Sequence, residues 1–264
     1  VTTGEPLAQA LRKCPQLTVV PSRFDYYIKC SHRMMELLET YTPDHEKFSI
    51  DEIFLDMTQT IHLFGQPLEA ANRIRERIRD ELGFTVNIGV APNKLLAKMA
   101  SDFEKPDKCH TLFAHEIPSK LWPLPIRELF FVGGAAQRKM ENLGIHTIGQ
   151  LASCDLAVLK AHLGEKYAVT IRGYANGVDD DPVAEKDPIN KCYGNSVTLS
   201  RDVSDYETAC QVILSLCETV GARLRADRVL CRNVCVELKD WEFHTQSHQM
   251  ILPEPTDSTS ALYG

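Results

Sequence analysis

The chain has 264 residues, 44% of them hydrophobic, and a formal net charge of −7. This size supports one to three domains with an ample core, whereas no apolar run approaches the ~18 residues of a membrane span. Nine cysteines without a Cys-x-x-Cys pair predict reduced thiols in a cytoplasmic protein, and the acidic balance means that any nucleic-acid contact must depend on local charge.

Two helices are predicted before the first turn. Leu7 and Leu11 lie at helical spacing, and Pro15 ends that helix. Residues 23–40 form an amphipathic helix, and residues 41–44 break it. Its apolar stripe comprises Tyr27, Ile28, Met34, Leu37 and Leu38.

An acidic pair then interrupts an apolar, β-prone run. Asp51 and Glu52 are adjacent, and a strand follows over residues 52–55. Because neighbouring strand residues point to opposite faces, both acids can face one site only where the pleat is broken, as at a hairpin tip. The pair alone is compatible with a solvated acidic turn or with a cation site. Asp56, several residues further along, is interpreted as structural.

The next segment alternates helix and strand. Residues 67–82 form a helix with a buried stripe, and Gly83 caps its end. A strand over residues 84–90 follows, and Pro92 opens another helix. This order predicts a right-handed crossover and one sheet with helices on a single face.

Charged residues share one face of the helix after Pro92. Lys94, Lys98 and Asp102 lie together, and Lys105 comes near them beyond the helix end. One interpretation is a solvated face with an i,i+4 ion pair. The other is a phosphate contact, for which a compact ammonium is suited.

From Leu121 onward, short helices punctuated by proline and glycine predict a new domain. The acidic, proline-bearing residues 179–191 then form a tether. Beyond it we predict a strand over 194–199, a helix over 206–226, and strands over 233–238 and 249–252. Four arginines make a local positive patch: Arg223, Arg225, Arg228 and Arg232.

A zinc-finger-like pattern near the end is rejected. Cys231 and Cys235 are followed by His244 and His248, but the spacer is too short. On a strand, residues i and i+4 are also ~13 Å apart. Buried free cysteines are predicted instead.

Two stretches carry a family resemblance: SIDEIFLD at residues 49–56 and NIGVAPNKLLAKMASDFEKP at residues 87–106. In this order they resemble the palm signatures of the Y-family (UmuC/DinB-type) translesion DNA polymerases, and the resemblance runs over essentially the whole chain. It implies an α+β fold with a ferredoxin-like palm, a small helical thumb with a helix-hairpin-helix, and a partial α/β little-finger domain. The implied bounds are 1–22 for the end of the fingers, 23–119 for the palm, 120–180 for the thumb, 181–192 for a linker and 193–264 for the little finger.

The resemblance also implies a chemistry. It is template-directed nucleotidyl transfer on damaged DNA with two Mg²⁺ ions. Asp51 would bridge the ions, Glu52 would bind the primer-side ion, and Lys105 would contact the triphosphate.

The same resemblance implies DNA contacts that do not read sequence. Gly133 would belong to a hairpin whose backbone N–H groups hold a DNA phosphate, although Phe131 stands where the family has its first hairpin glycine. Thr198 and Ser200, on one strand face, and Arg232 would meet phosphates in the little finger.

The implied partners are primer–template DNA and deoxynucleoside triphosphates, bound by a monomer without a membrane. A sliding clamp would bind through a peptide beyond Gly264. A further catalytic Asp, an aromatic gate against ribonucleotides and a Tyr/Arg pair would precede Val1, so the chain as it stands is expected to polymerise little. Two alternatives stay open: a non-catalytic DNA-binding relative, and a nucleotide cyclase that uses the same palm chemistry.

Overall fold

Two units make up the chain in the computed structural model, which describes residues 1–183 and 190–264. The first unit is Val1–Asp187 and the second is Pro188–Gly264. Their division falls in the segment for which a linker is predicted, and residues 184–189 of that linker lie outside the described residues. The finer domain bounds stay predictions.

The first unit mixes helices with short strands, as an α+β fold requires. Its elements are α1 (Leu7–Lys13), α2 (Phe24–Leu38), β1 (His45–Lys47), β2 (Ile53–Leu55), α3 (Pro67–Leu82), β3 (Ile88–Val90), α4 (Lys94–Ser101), β4 (Cys109–Thr111), α5 (Gly134–Asn142), α6 (Ile148–Ser153), α7 (Leu156–Leu163) and α8 (Glu165–Ala175). The second unit contains α9 (Tyr206–Asp227), β5 (Cys231–Lys239), β6 (Thr245–Thr256) and α10 (Thr259–Tyr263).

The strands of the first unit form two pairs. β1 and β2 are antiparallel, with Glu46 opposite Phe54, whereas β3 and β4 are parallel and joined through α4. The crossover is therefore present, but the described residues show two two-stranded sheets where the sequence predicts one. The predicted strand 84–90 is also shorter, since only Ile88–Val90 finds a partner. Strands β2 and β3 line one groove.

Helices α2 and α3 cover the groove with the predicted apolar stripes. Met34, Leu37 and Leu38 of α2 pack with Ile74 and Ile78 of α3. Helix α3 has the predicted bounds, and it ends as predicted because Gly83 adopts the left-handed conformation at φ 79°. Tyr27, by contrast, is exposed although it belongs to the predicted stripe of α2.

Helix α4 begins later than predicted. Asn93, rather than Pro92, defines its start, because the Asn93 side chain accepts a hydrogen bond of 2.9 Å from the N–H of Leu96. Asp179 adds a second cap by accepting from the N–H of Leu95 at 3.1 Å. Both contacts fix the first turn of α4.

A close approach locks α4 onto β3. A Cβ at Gly89 would lie 1.8 Å from the carbonyl oxygen of Ala97, so only glycine fits there. The opposite face of α4 enters a large core with the helical region. Its fully buried members include Leu96, Leu112, Leu121, Met140, Ile148, Leu159 and Ile171.

The second unit is built on one antiparallel pair. The β5–β6 ladder runs from Lys239 opposite Thr245 to Cys231 opposite Thr256, so β6 is longer than the predicted 249–252. The strand predicted over 194–199 is wrong, because this segment is irregular. Alternation alone cannot form a strand without a partner ladder, and the described residues of this unit pair β5 and β6 only with each other.

Candidate active site

The acidic pair lies at the tip of the β1–β2 hairpin. The N–H groups of Phe48 and Ser49 both donate to the carbonyl oxygen of Glu52, at 3.0 and 3.1 Å. This turn breaks the pleat at Asp51, which is exposed, while Glu52 is half-buried and leads into β2. The condition that the sequence sets for two adjacent acids to face one site is met.

One hydroxyl group joins the two carboxylates. Ser49 Oγ lies 2.8 Å from Asp51 Oδ1 and 3.4 Å from Glu52 Oε2. A hydroxyl has a single proton to donate, so it can satisfy only one carboxylate at a time. Because both carboxylates lie within reach of one hydroxyl, two sets of oxygen atoms that can bind a metal ion lie side by side.

This donor set fits a divalent cation. Mg²⁺ favours oxygen ligands and is commonly held by one or two carboxylates together with substrate phosphates and water. Asp51 and Glu52 supply such a pair. In the part of the chain that the structure describes, three ligating groups converge only at Asp240, Glu242 and His244, on the β5–β6 turn of the second unit.

A row of alternating charges leads away from the hairpin. Lys98 Nζ contacts Glu52 Oε1 and lies 3.2 Å from Asp102 Oδ2. Lys105 Nζ lies 2.7 Å from the other oxygen of Asp102. The predicted i,i+4 pair of Lys98 and Asp102 therefore exists, but it does not lie on a solvated face, because only 17% of the Lys98 side chain is exposed.

These contacts shift two pKa values. Burial alone would lower the pKa of Lys98, but its hydrogen bonds to Glu52 and Asp102 outweigh burial and raise that pKa. Burial likewise opposes ionisation of Asp102, yet the hydrogen bonds from Lys105 and Lys98 leave the pKa of Asp102 below its usual value. Both groups are charged at neutral pH.

Lys94 extends the charged surface in another direction. Its Nζ lies 2.8 Å from Glu46 Oε2 and 5.8 Å from the centre of the Phe54 ring. Lys94, Lys98 and Lys105 line the same groove as the hairpin acids, and the groove encloses about 1270 Å³. An anionic ligand in this groove would meet ammonium groups that are each paired with a carboxylate.

Asp56 makes a local hydrogen bond after β2, and its structural role stays a prediction. Its Oδ1 accepts a hydrogen bond of 2.8 Å from the N–H of Thr58. This hydrogen bond lowers the pKa of Asp56.

The turn before α5 has Phe131 at the position where a glycine is expected. Phe131 adopts φ 69°, a left-handed conformation that glycine usually supplies. The hydroxyl of Tyr167 donates to the Phe131 carbonyl oxygen at 3.0 Å, and the Phe131 ring packs against Phe130. Gly133 is the exposed residue that precedes α5 and has open space around it.

The candidate phosphate contacts of the second unit are not brought together on a strand. Thr198 and Ser200 are exposed in irregular backbone, so the shared strand face predicted for them is wrong. Arg232 is on β5, and its Nε donates to the Leu252 carbonyl oxygen at 3.3 Å. Arg223 donates to a backbone carbonyl in the same way, that of Gly194.

The cysteines are free, as predicted, but the predicted burial is wrong, because Cys231 is half-buried and Cys235 is exposed. None of the helices that the structure describes is long and apolar enough to cross a membrane.

Sequence reasoning missed the residues that organise the site. Ser49 was available as a signal, because a serine hydroxyl in a turn often bonds the backbone two residues on, as it does here by accepting from the N–H of Asp51 at 3.4 Å. The pairing of Lys98 with Glu52 has no comparable signal, because it joins a helix to a distant hairpin.

Three descriptions of one family match successive parts of the chain. The impB/mucB/samB family matches residues 1–102, the IMS family HHH motif matches residues 115–145, and the impB/mucB/samB family C-terminal domain matches residues 190–264.

Curated relatives match over nearly the whole chain. DNA polymerase IV of Clostridium acetobutylicum is 44% identical over 98% of the chain and 65% of its own length. DNA polymerase IV of Moorella thermoacetica is 40% identical over 100% of the chain and 66% of its own length. The chain thus spans just under two thirds of these relatives.

Solved structures with the same fold are similar at lower identity. A Y-family DNA polymerase chimera of Dbh and Dpo4 has a TM-score of 0.86 at 26% identity, covering 100% of this chain and 75% of its own. DinB from Sulfolobus solfataricus has a TM-score of 0.65 at 26% identity, covering 100% of this chain and 76% of its own.

Proposed function

This chain belongs to the impB/mucB/samB family of Y-family polymerases, and we propose that it carries the nucleotidyl-transfer site of a translesion DNA polymerase. The reaction adds deoxynucleotides to a primer on damaged template DNA. The observation that carries the proposal is the pair of hairpin carboxylates, Asp51 and Glu52, within reach of one hydroxyl and beside the lysines of the groove.

Asp51 and Glu52 would be ligands of two Mg²⁺ ions. When bound, the ions neutralise charge on the triphosphate and lower the pKa of the primer 3′-hydroxyl. The hairpin supplies fixed negative charge at the place where the cations are needed, and Ser49 orients it. Phosphoryl transfer depends mainly on such positioning and electrostatic stabilisation.

Lys105 would bind the triphosphate. Its side chain is 59% exposed and lines the groove, and its Nζ is held by Asp102. A lysine acts on phosphate as a compact point charge with three donors. Lys105 would therefore orient the nucleotide rather than take part in proton transfer.

The remaining contacts would hold duplex DNA without reading its sequence. Gly133, at the start of α5, exposes backbone that can approach a phosphate closely. Thr198, Ser200 and Arg232 would meet other phosphates from the second unit. Primer–template DNA and deoxynucleoside triphosphates are thus the proposed substrates, and the cytoplasm is the proposed location.

A monomeric state and binding of a sliding clamp are further proposals, which sedimentation with and without a clamp protein would test. The described residues give no observation that favours a non-catalytic relative or a nucleotide cyclase.

Primer extension by a version of the protein that spans the full length of its curated relatives tests the activity. On a primer–template with an abasic site in the template strand, we expect extension past the lesion with Mg²⁺ and all four deoxynucleotides. Chelation of the metal should abolish extension while leaving DNA binding measurable by fluorescence anisotropy. DNA binding without any metal-dependent extension, on damaged or undamaged template, would contradict the proposal.

A further inference from the structure

Lys98 connects the two halves of the candidate site. Its Nζ contacts Glu52 on the hairpin and lies 3.2 Å from Asp102, which in turn holds Lys105 at 2.7 Å. The charges alternate in sign from the candidate metal ligand to the candidate phosphate ligand. A change of charge at Glu52 or at Lys105 therefore alters how strongly Lys98 is attracted to Glu52 relative to Asp102.

The position of Lys98 is fixed by the fold. Helix α4 packs directly on β3 through Gly89, and its first turn is capped by Asn93 and Asp179. The Lys98 side chain is largely buried, whereas 36% of the Glu52 side chain is exposed. The lysine is thus the anchored partner, and the hairpin carboxylate is the partner that it holds.

A cation and Lys98 would compete for Glu52. The Lys98 ammonium contacts Glu52 Oε1, and the Ser49 hydroxyl lies near Oε2, so a metal ligand bond to Oε1 replaces the contact with lysine. The ammonium also repels a cation from a few ångströms away. Asp102 reduces this repulsion, because its negative charge partly offsets the positive charge of Lys98.

We propose that Lys98 is a positioning residue that holds Glu52 at the groove in the metal-free protein and weakens cation binding there, with Asp102 setting the strength of its hold. This inference rests on the proposed metal role of the hairpin. It assigns to Lys98 an effect on the affinity of the site for its ion that does not depend on any contact with nucleotide.

Mn²⁺ binding to the intact protein without nucleotide or DNA is the test, read from the electron paramagnetic resonance signal of free Mn²⁺. Lys98→Met keeps an unbranched side chain that is one atom shorter and removes the charge, so Mn²⁺ should bind about fivefold more tightly. Lys98→Arg keeps the charge and should bind Mn²⁺ with nearly wild-type affinity. Lys160→Met, a change of equal chemistry outside the groove that breaks the pair with Glu165, should alter the affinity less than twofold.

Asp102→Asn tests whether Asp102 weakens the contact between Lys98 and Glu52. It strengthens the hold of Lys98 on Glu52, so Mn²⁺ should bind about twofold to fivefold more weakly. In the Lys98→Met background the same change should have little effect, because Asp102 acts through Lys98. Additive effects in this double-mutant cycle would overturn the part assigned to Asp102.

Two outcomes separate this inference from the proposed function. If Glu52→Gln weakens Mn²⁺ binding but Lys98→Met leaves it unchanged or weaker, with an unaltered melting temperature, the role of Lys98 is wrong while the metal site stands. If Lys98→Met melts lower, Lys98→Arg decides, and loss of Mn²⁺ affinity in that variant also overturns the role. If Glu52→Gln has no effect on Mn²⁺ binding, both the inference and the metal site are wrong.

Discussion

Lys105 illustrates how one residue combines an ion pair with a candidate substrate contact. Its ammonium is held by Asp102, and more than half of the side chain faces solvent. An incoming phosphate can therefore share the ammonium without first breaking a buried pair, which would be costly.

Lys105→Met should raise KM for the incoming deoxynucleotide about tenfold, the worth of one charge-assisted hydrogen bond, with a smaller change in kcat. Lys108→Met is the matched control, because Lys108 is 51% exposed and lies near Glu104 beyond the helix. Steady-state insertion of a single nucleotide gives both constants. Equal values of KM in wild type and Lys105→Met would remove Lys105 from the nucleotide site.

Glu116 contributes to stability in a pH-dependent way. Burial opposes its ionisation, but hydrogen bonds from Lys120, the N–H of Phe113 and the hydroxyl of Thr111 outweigh burial and lower the pKa of Glu116 to about 2. A carboxyl whose pKa falls on folding stabilises the native state above its unfolded pKa, and this contribution is lost as the pH drops towards the folded value.

Glu116→Gln should therefore lower the free energy of unfolding at pH 7 by up to about 3 kcal/mol. The difference from wild type should shrink between about pH 4.5 and pH 2. Urea unfolding at several pH values measures it, and a difference that stays constant across this range would contradict the assigned pKa.

Among the elements, α4 positions the lysines of the groove, and its start is held by two side chains. Asn93 caps the N–H of Leu96, and Asp179 caps the N–H of Leu95. Asn93 also donates to the carbonyl oxygen of Gly177 at 2.9 Å. The segment after α8 is thus fastened to the helix of the candidate site.

Asn93→Ala and Asp179→Ala should each cost about 1 kcal/mol of stability, as the loss of a helix cap does. Asp180→Ala, one residue along, should change the free energy of unfolding by less than half of that amount. Urea unfolding followed by circular dichroism supplies the values. Equal effects of Asp179→Ala and Asp180→Ala would contradict the cap.

The elements differ in how far the sequence determines them. Helix α3 could be predicted to the residue because its apolar period and Gly83 are local signals. The irregular backbone over residues 194–199 could not, because alternation does not reveal whether a partner strand is present. The left-handed conformation of Phe131 could not be predicted either, because the hydrogen bond that supports it comes from Tyr167 on another helix.

At the site, the sequence predicts the carboxylates but not their partners. A broken pleat at Asp51 and Glu52 follows from two adjacent acids in a β-prone run. The contact between Glu52 and Lys98 depends on how α4 packs against the hairpin, which only the folded chain determines.

For the whole molecule, a net charge of −7 must be reconciled with the proposed DNA binding. The lysines of the groove have carboxylate partners, and Arg223, Arg225 and Arg232 of the second unit have carbonyl partners. DNA contacts therefore have to come from local groups that reach phosphate, and their strength should depend on released counterions.

DNA binding should weaken steeply as salt increases and should not depend on sequence. Fluorescence anisotropy with two primer–templates of unrelated sequence, at several salt concentrations, measures both properties. A flat salt dependence, or a strong preference for one of the duplexes, would indicate a different kind of DNA contact.

The most direct test of the account removes one hairpin carboxylate at a time. Asp51→Asn and Glu52→Gln in the intact protein should each lower the single-turnover rate of Mg²⁺-dependent nucleotide insertion by about 100-fold or more. Their affinity for primer–template DNA should stay within about twofold of wild type. Asp80→Asn, an exposed acid on α3, is the control and should insert nucleotides at the wild-type rate. Insertion at nearly the wild-type rate by Asp51→Asn or Glu52→Gln would contradict the assignment of the active site to this hairpin.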